Sequence, residues 1–118
     1  MRNFREYDVW LDAMELVNDI YENCDKFPKN EQFGITSQIT RSAVSIPSNI
    51  AEGASRKSEK DFSRFLEYSL GSAFELETQL RIAQRRNYIT QEETDRILNN
   101  LFSLQKRISG FRKSIVKS

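Results

Sequence analysis

Apolar residues recur in alternating steps of four and three along almost the whole chain. In "FSRFLEYSLGSAFELETQLRIAQRRN" the seam is Phe62, Leu66, Ser69, Ala73, Leu76, Leu80, Ala83 and Asn87. Ile97, Leu101, Leu104, Ile108, Phe111 and Ile115 repeat it, as do Ile35, Ile39, Ala43, Ile46 and Ile50. A helix brings such positions to one face, whereas a strand needs a step of two. Nearer the N-terminus Trp10, Ala13, Met14, Val17, Ile20, Tyr21 and Cys24 form a stripe, with Asp8, Asp12, Glu15, Asp19 and Glu22 on the opposite, solvated face. Only four Gly and two Pro occur in 118 residues, which disfavours a turn-rich β fold. The chain is all-α.

The breaks divide it into four segments. Pro28 in "KFPKNE" ends the first, about Tyr7 to Asp25, and Asn30 is the expected N-cap of the second, about Glu31 to Ala54. Ser58 with Asp61, and Thr90 with Glu93, have the spacing of capping boxes and start the third and fourth. Connections near 26–30, 55–58 and 88–90 are short, so sequential segments pack antiparallel. The expectation is one domain over residues 1–118, an up-down-up-down four-helix bundle. Segments three and four carry second apolar stripes: Leu70 and Phe74 on one, and Leu98 and Phe102, continued by Gln105, Ser109 and Val116, on the other. One bundle would leave part of these exposed, and contiguous exposed apolar surface marks an interface. Leu70, Phe74, Leu98 and Phe102 are therefore candidates for self-association.

Several function classes drop out. The chain has no His, which excludes His-based triads, HExxH zinc sites, the H-x-E deaminase pattern and Glu-x-x-His di-metal bundles. One Cys, Cys24, excludes paired-thiolate redox chemistry and suggests a reducing, cytoplasmic setting. No phosphate-binding Gly-rich motif, signal peptide or membrane-length apolar run is present. No enzyme activity, cofactor or metal is expected.

The stretch "RSAVSIPSNIAEG" sets polar residues among the isoleucines and a proline inside a helix. Arg41 and Glu52 are 11 residues apart, about 16 Å along the axis, too far to pair with each other. Folding segment three back brings Arg41 opposite Ser72 to Glu75, and Glu52 opposite Lys60 to Arg64. Arg41, Ser45, Asn49 and Glu52 then face Arg64, Tyr68, Ser72, Glu75 and Gln79. Partly buried charges need such partners, so a structural polar network is expected here in preference to a ligand pocket. Pro47 frees the carbonyl of Ala43, and Ser45 and Ser48 are expected to help satisfy the opened backbone.

"QITRSAVSIPSNIAEGASRKSEKDFSRFLEYSLGSAFELETQL", with "FPKNEQFGITSQI" before it and "RRNYIT" after, resembles the four-helix-bundle proteins encoded in intervening sequences of bacterial 23S rRNA genes. "VWLDAMELVNDIYE" fits the first helix of that family. The accessory variability proteins of diversity-generating retroelements look like the same fold. They are ring-shaped pentamers that bind nucleic acid and a reverse transcriptase. The resemblance implies a ring-shaped homo-oligomer, a pentamer, without known enzymatic activity, and assigns no chemistry to Arg41, Ser45, Ile46, Asn49, Glu52 or Gly53.

Charge bears on the partner. The net charge is +1, but residues 1–77 carry nine basic and 14 acidic side chains and residues 78–118 nine basic and three acidic. Either the two halves neutralise each other or the second half meets an anion. Candidate contacts to RNA or DNA are Arg81, Arg85, Arg86, Arg96, Lys106, Arg107, Arg112, Lys113 and Lys117. One expectation is a nucleic-acid or ribonucleoprotein accessory factor, associated with the rRNA intervening sequence or with a reverse transcriptase. The other is an oligomeric scaffold that binds a reverse transcriptase or another protein and no nucleic acid.

Overall fold

Two hydroxyls start the two longest helices. In the computed structural model, which describes residues 2–117 with side chains as far as Ile115, the Asp61 N–H donates to Ser58 Oγ at 3.0 Å and the Glu93 N–H to Thr90 Oγ1 at 3.1 Å. These satisfy otherwise orphaned first-turn donors. The helices are α1 (Asp8–Cys24), α2 (Ile35–Ala54), α3 (Glu59–Arg85) and α4 (Gln91–Lys117), with 3-10 turns at Phe4–Glu6 and Lys29–Glu31. No strand occurs among the described residues.

Each helix packs against its neighbours in sequence, and α1 closes the square against α4. The long axis is 46 Å, set by the 27-residue helices α3 and α4. The seams of α2, α3 and α4 turn inward: Ile39, Ile46, Ile50, Leu66, Leu76, Leu80, Ile97, Leu101 and Ile108 are fully buried. At one end Tyr7, Phe62 and Phe111 cluster, with ring centroids 5.0 to 6.3 Å apart, and join α3 and α4 to the entry of α1. Arg2 lies over the Phe62 ring at 4.8 Å and donates to the carbonyls of Ala54 and Arg56 at and beyond the last turn of α2. That cap from the far end of the chain has no local signature.

Four expectations are corrected. Asn30 caps nothing: it lies in the Lys29–Glu31 turn, and α2 begins at Ile35, behind Gly34. The reason is Glu31, whose carboxylate reaches the Ile35 N–H at 3.5 Å and also accepts from Tyr88 Oη at 2.8 Å. The buried face of α1 is rotated to Val9, Ala13, Leu16, Ile20 and Cys24, leaving Met14 and Tyr21 45% and 49% exposed. Apolar residues cover so much of this helix that periodicity has two solutions. The observed rotation also brings Asp12 and Asp19 within reach of the α4 arginines Arg107 and Arg96.

Asn87 is not core. It has φ 65° and ends α3 in a Schellman motif, Tyr88 N–H to Ala83 O at 2.9 Å and Asn87 N–H to Gln84 O at 3.0 Å. Leu98 is 3% exposed and belongs to the core, so it has no part in a self-association surface. Because α4 packs on both α1 and α3, it buries a stripe wider than one seam.

Candidate interaction surfaces

Between α2 and α3 a line of small polar groups replaces apolar packing. Ser42 Oγ lies 2.9 Å from Glu75 Oε1 and 2.9 Å from Gln79 Oε1. Ser45 and Ser72 meet hydroxyl to hydroxyl at 2.8 Å, and Asn49 Nδ2 donates to both Ser45 O and Ser45 Oγ at 2.9 Å. Ser69 Oγ donates to Ile46 O at 2.9 Å, one residue before Pro47. The helix runs through Pro47, which is buried. Ser45 is committed to Ser72 and Asn49, and Ser48 is exposed, so the hydroxyl that reaches this stretch of backbone comes from α3. Gly53 lets α2 approach closely: a Cβ there would stand 2.7 Å from Phe65 Cβ.

The charged ends of the expected network do not form. Arg41, Glu52 and Arg64 are exposed. Glu52 pairs with Arg56, just past the end of its own helix, at 3.1 Å, and Arg41 and Arg64 have no ion pair among the described residues. Long charged side chains reach water at little cost, whereas serines and an amide are short enough to be held between backbones. The groups that carry the seam include Ser42, Ser69 and Gln79. In the sequence Ser69 is legible only as a small residue, and Gln79 only as part of a flank.

The nine basic candidates separate. Arg81 pairs with Glu77 at 2.9 Å, Arg96 with Asp19 at 2.7 Å and Glu93 at 2.8 Å, Arg107 with Asp12 at 2.6 Å, and Arg112 with Glu67. Hydrogen bonds to Glu93 and then Asp19 raise the Arg96 pKa above its ordinary value, and the bond from Arg96 lowers that of Glu93. Arg85, Arg86, Lys106 and Lys113 are exposed and outside any ion pair among the described residues. The Lys117 and Val116 side chains lie outside those described.

Arg85 and Arg86 sit at the end of the bundle where Phe27 meets Tyr88 with centroids 5.8 Å apart. Phe33, near Gly34 at the start of α2, is 92% exposed.

Of the apolar candidates, Phe74 is 66% exposed, and Leu70 and Phe102 are partly buried against the core. Ile82 on the same outer side of α3 is 45% exposed. Between α1 and α4 runs an open groove of about 450 Å³ lined by Asp12, Glu15, Asp19 and Glu22, with Asn100 and Ser103 opposite. Its arginine, Arg107, is tied to Asp12. Among the described residues no group of three or more His, Cys, Asp or Glu is placed to hold a metal ion. The Cys24 thiol is pushed up to about 11, first by burial and then by the Asp25 charge, which keeps it a neutral packing group at physiological pH. No helix among the described residues is long and apolar enough to cross a membrane.

A family described as 23S rRNA-intervening sequence protein matches residues 5–110. Among solved structures, a protein of unknown function from the S23 ribosomal protein family of Bacteroides thetaiotaomicron superposes with a TM-score of 0.81. It is 34% identical, and the match covers 89% of this chain and 98% of that one. No curated protein matches the sequence at a significant level.

Proposed function

Since the chain belongs to the 23S rRNA-intervening sequence protein family, we propose that it acts without catalysis, as a self-associating four-helix bundle serving as an accessory component of a ribonucleoprotein. One observation carries this reading: Phe74, 66% exposed, lies one helical turn from partly buried Leu70 on α3, and Phe102 is partly buried on the adjoining α4. Apolar surface of this kind is covered by a partner, and a ring-shaped homo-oligomer, a pentamer by family resemblance, would repeat any weak surface contact around its axis. Arg85 and Arg86 are the adjacent, unpaired cations such repetition would multiply against RNA or DNA. A second reading, an oligomeric scaffold for a protein such as a reverse transcriptase, is favoured by the ion pairs that engage Arg81, Arg96, Arg107 and Arg112.

Sedimentation with salt-titrated binding separates them. The accessory reading expects an oligomer that binds RNA or duplex DNA at ~50 mM salt and releases it by ~200 mM, with little sequence preference. Replacing Arg85 and Arg86 by Gln should flatten the slope of log affinity against log salt by about 0.9 for each duplex phosphate no longer neutralised. An oligomer with no binding at low salt selects the scaffold, and a 13.8 kDa monomer at micromolar concentration ends both.

A further inference from the structure

We infer that the outer face of α1 in one copy docks on the α3/α4 face of the next, an acidic ladder meeting a basic one across an apolar strip. This contact specifies which surfaces meet in the self-association proposed above, on which it rests.

On α1, Asp8, Glu15 and Glu22 follow one another at intervals of seven residues, so they rise along one side of the helix in steps of about 10.5 Å. All three are exposed, and none is in an ion pair among the described residues. They differ in this from Asp12 and Asp19, which are held by Arg107 and Arg96, although Glu15 and Glu22 border the same open α1/α4 groove. Beside the ladder Leu11 is 46% exposed, while the exposed Met14 and Tyr21 lie about a quarter turn or more further round the helix. The acidic side of α1 thus carries one exposed apolar residue, Leu11, for the partner's apolar strip to meet.

The α3/α4 face has the complementary chemistry. Phe74 projects from it one turn beyond Leu70, with Phe102 partly buried on α4, and Lys106 and Lys113 stand at the same interval of seven, exposed and without an ion pair among the described residues. Two acids near Phe74 on α3, Glu67 and Glu77, are already paired with Arg112 and Arg81. Equal intervals mean that when one lysine meets one carboxylate, the second pair is met as well. This is the arrangement by which flanking charges set register beside an apolar seam.

The levels also agree. The Arg107–Asp12 and Arg96–Asp19 contacts place Lys106 within about one helical turn of the height of Glu15. With the Arg112–Glu67 contact they place Phe74 near the height of Met14. A neighbour standing the same way up therefore needs little axial shift. Its α4 runs antiparallel to α1, so Lys106 meets Glu15 and Lys113 meets Asp8. Two different faces meeting make a heterologous contact, which repeats into a ring when its rotation closes.

Charge reversal in the full chain tests the pairing. Lys106→Glu with Lys113→Glu should weaken association at least about 100-fold, because like charges across a contact repel strongly. Asp8→Lys with Glu15→Lys should weaken it similarly. Circular dichroism should show each variant as helical as the wild type. Combining all four changes should restore the wild-type sedimentation coefficient, which a merely structural effect of each pair would not do. If the wild type associates and either reversed pair leaves it intact, or the combined variant folds but stays dissociated, this pairing is wrong while self-association stands. A monomeric wild type overturns both.

Discussion

Gly53 of α2 and Phe65 of α3 leave no room between them: a Cβ at residue 53 would lie 2.7 Å from Phe65 Cβ and 3.3 Å from the carbonyl oxygen of Phe62. Those atoms belong to backbone or its first carbon, so a methyl group is accommodated only by moving one helix. Gly53→Ala should destabilise by about 1–3 kcal/mol, as overpacking does. Gly71, in α3 with nothing within 4 Å of a built Cβ, is the control. Gly71→Ala should instead raise stability by about 0.5–1 kcal/mol through helix propensity and a less flexible unfolded chain. Denaturant melts of both variants check the opposite signs.

The seam and its charged margins should respond unequally. Ser42→Ala leaves Gln79, itself 8% exposed, without this hydroxyl partner and should cost about 1–3 kcal/mol. Arg41→Ala removes an exposed side chain and should change stability by no more than about 0.5 kcal/mol. Comparable losses in the two variants, measured by urea unfolding, would contradict the placement of Arg41 outside the network.

Cys24 ties stability to alkaline pH. Burial raises its pKa to about 11 from an ordinary value of 9.0. Between those values the unfolded chain releases a proton that the folded chain retains, so stability is full below about 9 and declines as pH rises toward 11. Cys24→Ala should remove that part of the slope. Native Cys24 should react with a thiol reagent at about pH 8 far more slowly than in the unfolded chain, because only an exposed thiolate is reactive. Equal rates would show an accessible thiol.

Asn87, at φ 65°, is the described non-glycine residue with positive φ. Glycine suits this conformation and β-branched residues do not. Asn87→Gly should therefore be neutral or slightly stabilising, and Asn87→Val should cost about 1–2 kcal/mol. Thermal melts that rank Val above Gly would contradict the left-handed end of α3.

The number, order and polarity of the helices are written in the sequence locally. Steps of four and three can be buried only as helical faces, and Ser58 and Thr90 mark starts through bonds that span three residues. Local spacing also brings Ser45 and Ser72 opposite one another, because a short connection leaves an antiparallel pair few registers. Rotation about each helix axis is set by packing between helices instead. On α1 the two apolar stripes compete; the side with Val9 and Leu16 is the one that packs inward, and in that rotation Asp19 and Asp12 meet Arg96 and Arg107 of α4. Leu98 is buried for a related reason: α4 touches two neighbours. Whether Arg41 and Glu52 pair across the seam or extend past it into water, as they do, is not written in their spacing. That depends on the distance between helices, which Gly53 and the serines make short.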